Sequence, residues 1–183
     1  MKLPKITILD EVDKRLRKIS SEVTFPLSKE DKQNIEDMIT YLTMSQIPEY
    51  EEQYKLRAGM GLAYVQIGIP KRIFVIVEEL EDETFKNYIV INPKIVSHSE
   101  EMIYVGEGEG CLSINRDVEG IVPRYARVTV EAQDINGNPY KIRVREDIAI
   151  AFQHEIDHLN GILFIDHIDP KNPFKDADKY REI

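Results

Sequence analysis

The chain has 183 residues, with 24 Lys and Arg against 33 Asp and Glu, for a formal net charge of −9. Its 42% hydrophobic content supplies one sizeable core and excludes wholesale disorder, and no apolar run approaches the ~18–20 residues of a membrane-spanning helix. The acidic balance disfavours a nucleic-acid backbone, where Lys and Arg must replace counterions, so direct DNA binding is not expected, and the short apolar runs lead to the same expectation for a membrane.

In chain order, Val12, Leu16 and Ile19 recur at helical spacing and predict a short early helix. Ser28 followed by Asp31 reads as an N-cap with an acid in the first turn, and Ile35, Met38, Ile39 and Leu42 then mark an amphipathic helix. The polar insertion Ser45 to Arg57 predicts a loop with room for one helical turn. Ile73 to Val77 and Tyr88 to Ile91 are β-branched runs that predict strands. Val128, Val130 and Ala132, the turn residues Asp134 to Asn138, and alternation through Lys141 to Arg145 predict a hairpin. A last helix is expected from near Asp147 to Asn160-Gly161, then a strand over Ile162 to Ile165, then an irregular, loosely ordered tail from Asp169 to Ile183. With no repeat and no linker, residues 1–183 read as a single α+β domain of helices on an antiparallel or mixed sheet. No apolar leader follows Met1, so a cytoplasmic protein is expected.

The chemistry-bearing residues cluster in three places. In the last helix, His154-Glu155-Ile156-Asp157-His158 puts two imidazoles one turn apart. On a helical wheel His158 falls about 40° and Glu155 about 100° from His154, while Phe152, Ile156 and Leu159 form an apolar stripe on another side. A catalytic zinc-type centre takes three protein ligands and keeps a position for water, so a third ligand is needed. Downstream Asp166, Asp169 or His167 are candidates, and so is Cys111 in Glu107-Gly108-Glu109-Gly110-Cys111-Leu112-Ser113. Cys111 is the only cysteine, so no internal disulfide forms, and its thiolate would bind a divalent metal strongly. The third place is Gly59-Met60-Gly61-Leu62-Ala63-Tyr64-Val65-Gln66, where backbone and amide donors stand ahead of a strand. No phosphate-binding fingerprint is present, which argues against a nucleotide.

These three segments, in this order, closely resemble the signature motifs of peptide deformylases, and the insertion at Ser45 to Arg57 resembles the longer class typical of Gram-positive bacteria. The resemblance implies an α+β fold around a metal-bearing helix and removal of the formyl group from N-formylmethionyl nascent peptides. It implies metal ligation by Cys111, His154 and His158, with ferrous iron in the cell and nickel, cobalt or zinc as substitutes. Glu155 would act as general base and acid. The Gln66 side chain and the Leu112 N–H would face the formyl oxygen, the Gly61 backbone would align the peptide, and a Glu109–Arg124 ion pair would brace the Cys111 loop. The ribosome near its exit tunnel is a further candidate partner. One departure stands out: Ala63-Tyr64 replaces the usual two alanines, and Val65 stands where proline or another small residue is frequent, so altered packing beside the site and altered substrate breadth are expected.

Two other readings remain open on sequence. A zincin-like peptidase would take its third ligand downstream and would keep its metal after Cys111→Ser. A structural metal in an interaction module would need four closed ligands, for which only His98 and His167 are spare histidines.

Overall fold

The computed structural model describes residues Met1–Ile183, and its main sheet is founded on the apolar run that begins at Ile73. Five antiparallel strands lie in the order β1 (Gly61–Ala63), β2 (Ile73–Glu79), β3 (Phe85–His98), β6 (Arg127–Gln133) and β7 (Pro139–Arg145). Helix α1 (Lys29–Ser45) covers one face and helix α3 (Glu146–Leu159) the other. Side chains alternate across a strand, so Ile73, Val75 and Val77 of β2 pack with Ile35, Met38 and Leu42 of α1. Phe74 and Ile76 pack with Phe152, Ile156 and Leu159 of α3. A strand buried on both faces has no polar side to alternate with, which is why Ile73 to Val77 is uninterrupted. Phe152 sets the distance of α3 from the sheet, standing edge-on to Phe74 and Tyr88 with ring centroids 5.4 and 5.7 Å apart.

A second sheet joins β5 (Arg124–Tyr125), β4 (Met102–Tyr104) and β8 (Arg181–Glu182). The tail, read as irregular from the sequence, therefore ends in a strand parallel to β4. Arg181 ties it further, reaching Glu101 and Glu146 at 2.7 and 2.8 Å. Two residues are too short a strand to leave a pattern.

Other segments also differ from expectation. The early helix reduces to a single 3-10 turn, Lys14–Arg17, in which only Leu16 is buried; Val12 and Ile19 are 83% and 74% exposed. The Ser20 N–H leaves the helical path to bond the Leu159 carbonyl, so no second turn forms. The insertion contains helix α2 (Pro48–Tyr54), started by a proline whose fixed φ suits the first turn and stopped by left-handed Lys55. The strand expected at Ile162 to Ile165 is replaced by a 3-10 turn, Phe164–His167, closed by the Leu163 N–H donating to the Asp166 carboxylate at 2.9 Å.

Candidate active site

Helix α3 presents His154 and His158 from consecutive turns, and the loop after Gly110 brings Cys111 to them. One ligating atom from each of the three lies within 4.8 Å of the others, and Cys111 Sγ is 3.3 Å from His158 Nε2. Cys111, Glu155 and His158 are all buried. Asp166, Asp169 and His167 lie elsewhere: Asp166 pairs with Arg17, Asp169 accepts from the Lys171 and Asn172 N–H groups, and His167 pairs with Asp157.

A chain of charged groups holds the first histidine. His154 Nδ1 donates to Glu109 Oε2 at 2.8 Å, which leaves its other ring nitrogen as the available lone pair. Glu109 receives Arg124 Nε and Nη2 at 2.7 and 3.0 Å, and Arg124 Nη1 donates to Asp157 at 2.5 Å. The Glu109–Arg124 pair implied by the resemblance is thus one link of a larger network, and Arg124 and Glu109 are each only 4% exposed. Burial alone would raise Glu109, but His154 and Arg124 outweigh it and hold the carboxyl at about 2.

The two imidazoles are driven apart. Burial opposes charge on both, yet Cys111 and Glu109 hold His154 well above the ordinary histidine range, while burial and the neighbouring His154 charge push His158 well below it. A field that favours a proton on His154 favours any cation at the same place. Glu155 Oε2, beside Cys111, His154 and His158, is a buried polar atom with no partner in the protein, as fits a site whose chemistry needs a guest. A soft thiol, two imidazoles and a buried anionic surround together fit one divalent metal ion.

The centre opens into a cavity of about 350 Å³ walled by Gly59 to Gly61, Gln66, Cys111, Leu112 and Glu155 on the reactive side, and by Val105, Ile150 and Ala151 on an apolar side. The Ala63 N–H donates to Gln66 Oε1 at 2.8 Å, which fixes the amide so that Nε2 points to Ser113 Oγ and Cys111 Sγ at 3.1 and 3.6 Å. β1 is an edge strand, leaving one side free to pair with an extended peptide. A Cβ at Gly61 would overlap the Glu155 carboxylate. Gly61→Ala is therefore expected to cut turnover by about 10²-fold through displacement of Glu155, with folding retained, as steady-state kinetics and circular dichroism would show.

Tyr64 corrects the sequence expectation. It does not line the cavity; it is fully buried on the α1 side of the sheet, and its hydroxyl donates to the Asp31 carbonyl at 2.7 Å. Successive side chains here alternate between the two cores, so Ala63 and Val65 sit with α3 while Tyr64 sits with α1. Tyr64→Phe is expected to cost about 1 kcal/mol of stability in denaturant unfolding and to leave kcat/KM unchanged.

Reasoning from sequence also missed supporting residues. Gln153 clamps α3 to β5 by accepting the Tyr125 N–H and donating to the Tyr125 carbonyl, both at 2.9 Å. Asp157 joins the charged chain. Neither carries a sequence signal of its own, because each acts through a contact made only in the fold, Gln153 with Tyr125 and Asp157 with Arg124.

The family model described as polypeptide deformylase matches residues 5–174. The chain belongs to the polypeptide deformylase family. Peptide deformylase 2 of Bacillus anthracis is 48% identical over 171 residues, covering 93% of each chain. The peptide deformylase of Oceanobacillus iheyensis is 50% identical over 167 residues, covering 91% of each. Such relatives agree with the longer, Gram-positive-like class to which the insertion pointed. Among solved structures, the Thermotoga maritima peptide deformylase superposes with a TM-score of 0.71 at 33% identity, covering 90% of this chain and 98% of that one. The likeness extends to the α+β fold expected from sequence.

Proposed function

We propose that this chain is a metal-dependent hydrolase that removes the formyl group from N-formylmethionyl peptides and releases formate. The observation that carries the site assignment is the convergence of Cys111 with His154 and His158 beside an unpartnered, buried Glu155 carboxylate. In this reading Cys111, His154 and His158 would hold one divalent ion, which would supply Lewis acidity and lower the pKa of water at the site. Glu155 takes the proton of the attacking water and returns it to the departing methionine amine. Burial raises this carboxyl to about 7, where it both accepts and yields a proton readily. Gln66 Nε2 and the Leu112 N–H face the charge that develops on the formyl oxygen. The Gly61 edge strand aligns the peptide, the apolar wall of Val105, Ile150 and Ala151 takes the methionine side chain, and Glu109 with Arg124 keeps His154 in place.

The donor set of one thiolate and two imidazoles suits ferrous iron in the cell, with nickel, cobalt or zinc as substitutes. No helix is long and apolar enough to cross a membrane. We further propose a cytoplasmic location near the ribosomal exit, where formylated chains emerge.

The test is formate release from formyl-Met-Ala-Ser by anaerobically purified protein, with metal measured on the same sample. Formate produced in proportion to bound metal is the expected result. A fully metallated sample that releases no formate and instead cleaves peptide bonds would overturn the reading in favour of a peptidase.

A further inference from the structure

His167 is a conspicuous group that the mechanism does not use. It shares no wall with the substrate cavity, and lines instead a separate surface groove of about 460 Å³ with Asp166, Asp169, Lys175 and Tyr180. Its Nε2 lies 2.7 Å from Asp157 Oδ2. That carboxylate is ionised beside Arg124 and can only accept, so Nε2 carries the proton and donates.

We propose that His167 is a positioning residue for the metal centre, the outer anchor of an unbroken hydrogen-bonded chain that ends on the imidazole of His154. From His167 the chain runs to Asp157, through the Arg124 guanidinium to Glu109, and from Glu109 to His154 Nδ1, with links of 2.7, 2.5, 2.7 and 2.8 Å. Exposure falls inward: the His167 side chain is 36% exposed, Asp157 18%, and Arg124 and Glu109 4% each. The same Asp157 oxygen accepts from both Arg124 and His167, and the Asp157 side chain makes no other hydrogen bond. Arg124 is a rigid planar fork, so the N–H that meets Asp157 sets the tilt of the two that grip Glu109. Glu109 in turn orients the ring of His154. Removing His167 frees one side of Asp157, and the looseness passes along rigid groups to His154.

The inference rests on His154 being a metal ligand. Its test compares His167→Leu, which removes the donor, with His167→Gln, whose amide N–H restores a donor at comparable reach. The holoenzymes are mixed with excess chelator and the rate of metal loss is followed, alongside kcat, KM and the Tm of the metal-free proteins. The leucine variant is expected to lose its ion about three- to ten-fold faster, with lower kcat and unchanged KM, while the glutamine variant stays near wild type. Metal loss at the wild-type rate in the leucine variant, even with a lower Tm, would reduce His167 to an ordinary surface contact and overturn the proposal. So would equal acceleration in both variants, since the donor would then not be the cause. Failure of the underlying ligand assignment shows separately, as wild-type metal content that survives Cys111→Ser.

Discussion

Glu155→Gln is expected to lower kcat for formate release by about 10²–10⁴-fold, the usual worth of a positioned general acid and base, while metal content and KM stay near wild type. The side chain is buried, and one of its oxygens has no protein partner, so glutamine fits the same space without breaking a bond. Burial is also the main reason the Glu155 carboxyl is raised to about 7. A neutral amide escapes that desolvation, so the variant should unfold at the same temperature as wild type or higher. Steady-state kinetics, metal analysis and thermal unfolding on one preparation give the pattern. A loss of activity accompanied by loss of metal or of fold would assign Glu155 a structural role instead.

Arg124→Met is expected to be the most damaging single change to stability, at about 3–5 kcal/mol, because it strands two acidic partners rather than one. Glu109 is nearly inaccessible and Asp157 mostly so, and both lean on the same guanidinium. The pH dependence follows from Glu109. Its carboxyl ordinarily titrates near 4.5 and is held at about 2 in the folded protein, so its stabilisation is fully present above 4.5 and is lost as pH falls towards 2. Without the guanidinium, burial dominates and raises the folded value, so the variant should begin to lose stability at a higher pH than wild type. Urea unfolding across a pH series measures both effects. Adding Glu109→Gln should recover part of the loss, since the stranded charge is then removed. A cost below about 1 kcal/mol would mean the pair behaves like an exposed salt bridge.

How much of this was legible in the sequence differs from element to element for physical reasons. Helix α1 announced itself through its Ser28 cap and the spacing of Ile35, Met38 and Leu42, all of which the structure uses. Helix α2 has no buried residue, so no apolar period was available to reveal it. The pairing of His154 with His158 was visible because one helical turn separates them. Nothing in the spacing joined Cys111 to them: that contact depends on how the Gly110 loop folds over α3, and the motif resemblance, not the pattern, pointed to it. Tyr64 misled for a related reason. Gly61 and Gln66 to either side of it line the cavity, but side chains alternate across this segment and its own goes to the α1-side core. Asp157 and His167 were each in view, His167 as a spare histidine. Their connection through Arg124 is made in three dimensions by side chains from three separate segments.

The central claim, that Cys111, His154 and His158 together hold one ion, is tested most directly by titrating metal-free protein with cobalt(II) and following the thiolate-to-metal charge-transfer absorption. The account predicts a band that saturates at one equivalent per chain and disappears in Cys111→Ser. Saturable binding with no such band, unchanged in Cys111→Ser, would contradict it.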